Sequence, residues 1–181
     1  MRKIEQIIII KCIKKSNAHV FFVEKNEAGF WEIIFKTKGY IGKNGMGKEE
    51  EGDNKTPIGR YQLGTAFGIK ENPGTSIHYI KVKKNHYWCD DQNSPFYNKL
   101  IETNHEEKET YVGEHLIDYK EEYQYGIFIE YNKQQKKGKG SCIFLHCIGE
   151  KKYTSGCVAI PESMMRKFLI RLNEGAEIVL F

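Results

Sequence analysis

Two residues near the end of the chain have the types and spacing needed for nucleophilic catalysis. His146 closes an apolar run, and Cys157 follows it eleven positions later, after Ser155 and Gly156. A catalytic thiol needs a base within hydrogen-bond reach and backbone amides directed at the developing oxyanion. A loop of this length can bring the cysteine back to the histidine. Spacing alone leaves a second interpretation open, in which the cysteine packs as a small hydrophobe and the histidine only binds a backbone carbonyl.

The cysteines as a set favour a free thiol over a disulfide or metal site. Their number is odd and their spacing irregular, and neither the CxxC separation nor a second ligand pair is present, which argues against a disulfide framework and a zinc site. The five are Cys12, Cys89, Cys142, Cys147 and Cys157. We therefore predict no metal and no cofactor. Pro161, four residues after Cys157, predicts a helix whose N-terminal field lowers the pKa of the thiol.

Alternation of apolar and polar residues with a period of two predicts that strands position this pair. The first half is typical of a β-meander, with strands at 6–15, 19–25, 30–38, 60–64 and 77–83 and a hairpin turn at 26–29. Five glycines indicate a loop at 42–59. The stretch 90–123 lacks periodicity and predicts a surface lobe with one short helix. The catalytic pair must therefore lie on strand ends and turns.

The second half predicts the elements that carry the pair. Apolar runs at 125–131 and 141–146 predict two paired strands on either side of a basic turn. Pro161 suits the first position of a helix, and apolar residues then recur at three- and four-residue spacing up to Leu172. Gly175 is a typical C-terminal cap, and 176–181 predicts a last strand. We expect one β-rich domain over residues 1–181.

Charge and hydropathy exclude several functional classes. The net charge is +4, from 28 basic and 24 acidic residues scattered along the chain, which is too mild to predict nucleic-acid binding. The basic run at 133–139 is typical of a solvated turn, and an anionic-polymer contact is the alternative. The apolar N-terminus is interrupted by Glu5 and Gln6, and no run reaches the length of a membrane span. We expect no transmembrane segment and an export signal that is absent or already removed.

Two motifs resemble one known family. The run Gly52-Asp53-Asn54-Lys55-Thr56-Pro57-Ile58-Gly59-Arg60-Tyr61 resembles the Gly-Asp-x-x-Thr-Pro-x-Gly-x-Tyr signature of the L,D-transpeptidase catalytic (YkuD-like) domain. The later Phe144-Leu145-His146 and Thr154-Ser155-Gly156-Cys157-Val158 resemble that family's histidine strand and nucleophile turn. Both motifs stand in the family's order, and the resemblance covers most of 39–181. The middle, about 84–123, is similar to an insertion found in a divergent, mostly bacterial branch.

This resemblance implies a fold and an activity. The fold would be mainly β, a sandwich or barrel of mixed strands with one C-terminal helix and a small inserted lobe. Cys157 would be the nucleophile and His146 the general base, with an oxyanion hole formed by the amides around Ser155, Gly156 and Cys157. The substrates would be peptidoglycan stem peptides on the cell-wall side of a bacterial membrane. A thioester would form with release of D-alanine, and a second stem would resolve it as a 3-3 cross-link; carbapenems would be candidate inhibitors.

The sequence departs from the family pattern at three points. Ser155 stands where most members have His, Ala159 stands where they have Arg, and the loop between histidine and cysteine is shorter. The family arginine organises the surroundings of the nucleophile, and Arg60, Arg166 and Lys55 are candidates for a replacement charge. These departures leave the nucleophile and base in place.

Three other functions stay open at this point. They are an L,D-carboxypeptidase that uses water as second nucleophile, a sortase-like cysteine peptidase, and a catalytically silent wall-binding module. The short His-to-Cys spacing and the 52–61 signature disfavour the sortase.

Several residues with chemical potential have simpler interpretations. We expect His78, His86 and His115 to be surface or hydrogen-bonded histidines, and Asp90 and Asp91 to lie in a solvated turn. Cys147 directly follows His146 on a predicted strand, so its side chain should lie on the opposite face.

Overall fold

The computed structural model describes residues 4–103 and 113–181, which contain twelve strands and one α-helix. The first strands are β1 (Gln6–Lys14), β2 (Asn17–Lys25), β3 (Trp31–Tyr40), β4 (Gly59–Gly68) and β5 (Tyr79–Lys81). The middle holds β6 (His86–Trp88), β7 (Leu100–Glu102) and β8 (Glu114–His115), then 3₁₀ turns at Leu116–Asp118 and Glu122–Gln124. The last elements are β9 (Gly126–Ile129), β10 (Phe144–Cys147), β11 (Val158–Ile160), α1 (Glu162–Arg171) and β12 (Glu177–Leu180).

Eight strands close into a barrel, which confirms the predicted mainly β architecture. Their order is β12-β1-β2-β3-β11-β10-β9-β4, and a β12–β4 pairing closes the ring while β5 extends β4 on one side. The pairs β1–β12, β10–β11 and β4–β5 are parallel, and the others are antiparallel. Closure pairs the strand edges that an open sheet leaves exposed. The strand after the catalytic turn therefore has neighbours on both sides, β10 and β3.

The predicted meander holds only for the first three strands. β1, β2 and β3 pair consecutively, but β4 pairs with β12 and β9 instead of β3. The loop after β3 therefore joins strands that are neighbours in sequence but not in the sheet. β4 also continues past the predicted end at Gly64 to Gly68, because its second half pairs with β9 and β5.

Two apolar cores lie on either side of the β9–β10 wall. The barrel interior holds Ile8, Ile10, Leu145 and Val158 together with Phe168 of α1. A second cluster on the outer face is covered by the lobe formed by residues 84–103 and 113–123. It contains Phe67, Leu116, Tyr123, Phe128, Phe144, Cys142 and Cys157. Because successive strand residues point to opposite faces, β10 contributes Leu145 to the first core and Phe144 to the second. The inserted lobe thus has an apolar reason to lie on the barrel wall.

The middle segment differs from its prediction. In place of one short helix it forms the three-stranded sheet β7-β6-β8 and the two 3₁₀ turns. Residues 104–112 of the predicted 84–123 insertion lie outside the described residues. Strands of two or three residues are too short to produce a periodic signal, because three alternating positions also fit a loop.

The C-terminal helix is predicted closely, apart from its caps. Pro161 is the N-cap residue instead of the first helical one, and its carbonyl accepts the N–H groups of Met164 and Met165. The helix ends at Arg171 with Leu172 as its C-cap, and Gly175, with φ +91°, forms the turn into β12. Among the described residues, no helix has the length and apolar content to cross a membrane.

Candidate active site

The parallel pair β10–β11 places the predicted nucleophile and base on one face of the barrel. His146 is in register with Ala159, and Leu145 with Val158. Since strand residues alternate in direction, Cys157, two positions before Ala159, points to the same outer face as His146. Cys147 lies on the opposite face in the barrel interior, 1% exposed, as the sequence predicted. The strand register therefore places Cys157, and not Cys147, on the same face as the histidine.

The thiol of Cys157 is held by the backbone that leads into β10. Its Sγ–H donates to the Cys142 carbonyl oxygen at 3.0 Å, and the N–H of Phe144 donates to Sγ at 3.3 Å. Cys142 has φ +54°, a left-handed conformation that is strained for a residue with a side chain and that orients this carbonyl. Cys157 and His146 share no hydrogen bond in this state, so the thiol must leave the Cys142 carbonyl before the histidine can take its proton.

Burial opposes ionisation of this thiol. It raises the pKa of Cys157 well above its usual range, and the charge of Glu114 raises it further. The Phe144 N–H and Lys48 act in the other direction. The predicted lowering by the helix field is therefore wrong. The three residues of β11 lie between Cys157 and the N-cap of α1. At the rise of a strand they span about 10 Å, so the thiol lies beyond the range over which a helix terminus acts.

A hydrogen bond from Thr56 of the Thr-Pro motif helps to hold the turn that carries Cys157. Thr56 is fully buried; its hydroxyl accepts the N–H of Gly42 at 2.8 Å and donates to the carbonyl of Cys157 at 3.3 Å. The Thr154 hydroxyl donates to the same carbonyl at 2.6 Å and accepts the Gly156 N–H at 3.1 Å. Two hydroxyl groups from segments far apart in sequence thus fix the peptide that carries the thiol.

His146 has the geometry of a neutral base. Its Nδ1 lies 2.7 Å from the carbonyl oxygen of Cys147, which can only accept, so Nδ1 carries the proton and Nε2 has a free lone pair. Burial lowers the pKa of His146, against opposing effects of the Cys147 carbonyl and Glu122. The ring of Tyr123 packs edge-on against the imidazole at 5.5 Å between centroids.

An open cavity of about 140 Å³ joins these groups. The barrel side contributes Cys157, His146, Ala159 and Ser155. The inserted lobe and the loop after β10 contribute the remaining residues that line it, namely Glu114, Tyr119, Glu122, Tyr123, Gly149, Lys151, Tyr153 and Thr154. The lobe therefore forms part of the site. Sequence analysis missed the lobe residues because the segment has no periodicity. Its cluster of tyrosines is the sequence feature that could have indicated a packed segment.

Glu114 brings an unusual carboxyl into this cavity. The hydroxyl of Tyr123 donates to Glu114 Oε2. Burial raises the pKa of Glu114 to about 7, with further contributions from Asp90 and Glu51, while the Tyr123 bond opposes the shift. A carboxyl with this pKa changes its charge near neutral pH, beside a thiol whose ionisation it opposes.

None of the three predicted replacement charges lines the cavity. Arg60 pairs with Glu177 on the β4–β12 side of the barrel, and Arg166 is exposed on α1. Lys55 does not line the cavity either. A residue that the sequence analysis did not single out, Lys48, lies next to the nucleophile turn.

The remaining candidates lie outside the cavity. His78 is exposed, and His86 accepts the N–H of Lys83 at 3.3 Å. His115 binds Asp118 and the Lys84 carbonyl at 2.9 and 2.7 Å. Asp91 caps a turn by accepting the N–H of Asn93. Within 4–103 and 113–181, no cluster of three or more His, Cys, Asp or Glu side chains could hold a metal ion.

Comparison with known proteins agrees with this geometry. The sequence profile of the L,D-transpeptidase catalytic domain, YkuD, matches residues 7–180. The chain is similar in structure to the helical cell shape determining protein Pgp2 from Campylobacter jejuni, with a TM-score of 0.51, 18% identity, and coverage of 97% of this chain and 47% of Pgp2. The structure of the Pgp2 K307A mutant matches with a TM-score of 0.51 and 20% identity, covering 97% of this chain and 46% of the mutant. The chain thus spans just under half of these proteins, and at this identity the likeness extends to the fold alone. No curated protein matches. Because the family profile matches nearly its whole length, the chain belongs to the L,D-transpeptidase catalytic domain family.

Proposed function

We propose that this protein is a peptidoglycan L,D-transpeptidase that uses Cys157 as its nucleophile and His146 as its general base. One observation carries the proposal: the β10–β11 register puts both side chains on one face, where they line one cavity. The free Nε2 of His146 provides the lone pair that the thiol needs. Membership of the family supplies the substrate class, the stem peptide.

The proposed reaction runs through a thioester. His146 Nε2 takes the thiol proton, and the Cys157 sulfur forms a bond to the carbonyl carbon of the third stem residue while the carbonyl π pair moves to oxygen. The amides around Ser155, Gly156 and Cys157 are the candidate oxyanion donors. The Gly156 N–H already donates to Thr154, so its contribution requires a shift within the turn. Collapse breaks the C–N bond, and the leaving D-alanine takes the proton from His146.

The second half of the reaction decides between two family activities. An amine of a second stem attacks the thioester, loses a proton to His146 and returns the thiol, which leaves a 3-3 cross-link. Water in the same position gives an L,D-carboxypeptidase, which is the alternative function. Peptidoglycan as substrate further implies that the protein acts on the cell-wall side of a bacterial membrane, and that carbapenems acylate Cys157.

The experiment is incubation with a disaccharide tetrapeptide followed by mass analysis of products and protein. We expect free D-alanine, cross-linked dimer, and an acyl adduct that maps to Cys157. Cys157→Ser should abolish all three, whereas Cys147→Ser, on the opposite face, should keep them. Tripeptide without dimer at high acceptor concentration selects the carboxypeptidase. If reduced enzyme releases no D-alanine and forms no adduct, the silent module is the better interpretation.

A further inference from the structure

A buried lysine lies directly against the nucleophile turn. The Nζ of Lys48 is 2.8 Å from Asp53 Oδ1 and 3.2 Å from the carbonyl oxygen of Glu50, and its side chain is 2% exposed. A Cβ built on Gly156 would lie 3.7 Å from this Nζ. Because Gly156 immediately precedes Cys157, the Lys48 side chain ends beside the turn that carries the thiol.

The surroundings of Lys48 are built to hold it in place. Asp53 also accepts the N–H groups of Glu49 and Lys55 at 2.8 and 2.9 Å. Although burial raises the pKa of Asp53, these bonds and Lys48 lower it to about 2, so the carboxylate stays charged. Gly140 leaves room for the lysine, since a Cβ there would lie 2.4 Å from Lys48 Cε. The ammonium is therefore fixed in position beside a charged carboxylate.

Stability alone is a weak reason for such a pair. Removing two charges from water costs several kcal/mol per ion, and apolar residues of similar volume are often as stable or more stable. The place of this pair matters more. Lys48 and Glu114 are the two charged side chains with the clearest effect on Cys157, and they act in opposite directions. The other titratable groups facing the thiol from the packed elements are Cys142, Tyr119, Tyr123 and His146, with Glu122 and Lys151 at the cavity.

We propose that Lys48 is a positioning residue for the nucleophile, whose fixed ammonium holds the Gly156–Cys157 turn and stabilises the anionic sulfur. This rests on the proposed role of Cys157. Lys48 takes no part in proton transfer, because its Nζ is held by Asp53 at 2.8 Å, and His146 remains the group that moves the proton. Ala159, the next outward-facing residue on β11, brings no charge, so the cation comes from the Thr-Pro loop instead.

The test is the pH profile of Cys157 alkylation by iodoacetamide, followed by peptide mapping between pH 6 and 10. In Lys48→Gln, which keeps hydrogen-bond donors but loses the charge, we expect alkylation about tenfold slower at pH 8 and a profile displaced to higher pH, as one pKa unit requires. Lys48→Arg should stay within about threefold of the wild type. Lys133→Gln, which removes an exposed ion pair with Glu130, is the matched control and should superimpose on the wild type.

Two results would overturn the proposal. One is a folded Lys48→Gln protein whose profile matches the wild type, or equals that of Lys48→Arg. The other is loss of the fold in both Lys48→Gln and Lys48→Met while Lys48→Arg folds, which makes the ion pair purely structural. D-alanine release is measured separately on the same proteins. A shifted alkylation profile in a chain that releases no D-alanine would contradict the proposed function and leave the Lys48 assignment intact.

Discussion

The protonation state of His146 determines whether the resting site can act. The Cys147 carbonyl fixes the proton on Nδ1, and burial lowers the pKa of the ring, so the imidazole is neutral at pH 7. A neutral histidine with a free Nε2 can take the thiol proton without first losing one. The proposed base is thus neutral in the resting site, whereas burial opposes ionisation of the proposed nucleophile.

Replacing the base should separate catalysis from packing. We expect His146→Ala to lower the rate of D-alanine release by roughly 10² to 10⁴, the usual contribution of a general base, in a chain that still folds. His86→Ala is the control, because His86 is also buried but does not line the cavity. Its rate per folded molecule should stay near that of the wild type. Unchanged turnover in folded His146→Ala would contradict the assignment.

Glu114 should add a second pH dependence to the thiol. Below its pKa of about 7 the carboxyl is neutral, and above it the negative charge opposes thiolate formation. Glu114→Gln should therefore match the wild type in alkylation of Cys157 at pH 5 to 6 and react roughly three- to tenfold faster at pH 8 to 9. Glu122→Gln, at the same cavity, should leave the profile unchanged. Parallel profiles for Glu114→Gln and wild type would exclude this effect.

The same carboxyl links stability to pH. Its pKa is raised from 4.5 in the unfolded chain to about 7 in the folded protein, so the folded state binds the extra proton. Its contribution to the free energy of unfolding is fully present below pH 4.5 and is lost as pH rises to 7. Urea midpoints of Glu114→Gln should fall less over that interval than those of the wild type. An equal fall would mean that this carboxyl does not titrate as described.

At the residue scale, sequence predicted the position of groups whose context is local. Cys157 and His146 lie in recognisable turns and strand ends, and the assignment of Cys147 to the opposite face followed from alternation alone. Sequence analysis did not identify Lys48 and Glu114, because their proposed effects on Cys157 depend on contacts with distant segments. A lysine in a charged, glycine-rich loop is ordinarily solvated, and nothing in its own neighbourhood distinguishes one that is buried.

At the scale of elements, the loop between β3 and β4 acts as a support for the nucleophile turn. Thr56 reaches Cys157 across 101 positions of sequence, and the backbone of residues 42–43 meets Thr154 through a bridge and the Lys43 N–H. The Thr-Pro motif that resembles the family signature therefore helps to hold the backbone that carries Cys157. Sequence predicted the loop but not this contact, since hydrogen bonds over such separations leave no local pattern.

Removing the Thr56 hydroxyl should damage this support. In Thr56→Val the buried Gly42 N–H loses its acceptor, which costs about 1–3 kcal/mol, and the Cys157 carbonyl loses one donor. We expect lower stability in urea and a larger loss of D-alanine release than the unfolded fraction explains. Thr56→Ser keeps the hydroxyl and should retain most of both. Equal activity of the Val and Ser variants would show that the turn holds itself through Thr154.

At the scale of the whole molecule, the barrel carries Cys157 and His146, and the lobe completes the cavity that they line. The closed barrel has its own interior core, so its strands are supported without the lobe. The lobe depends on the barrel, because its short strands bury apolar area mainly against Phe67, Phe128 and Phe144 on the outer wall. Periodicity predicted the longer barrel strands well but missed the three-residue strand β11 and the strands of the lobe, since long strands repeat a pattern that strands of two or three residues cannot.

Loosening the lobe should therefore lower activity before it unfolds the barrel. Trp88 of β6 stacks on Phe128 at 4.0 Å and meets Phe144 at 5.4 Å between ring centroids. Trp88→Ala should cost about 3 kcal/mol locally, so lobe amides should exchange hydrogen at least tenfold faster while those of β1, β2 and β10 stay slow. D-alanine release should fall, because Glu114 and Tyr123 lose their fixed positions. Trp31→Ala, at the half-exposed start of β3, is the matched control and should change neither. If Trp88→Ala accelerates exchange uniformly across barrel and lobe, the two form one cooperative unit and the lobe has no independent motion to couple to the site.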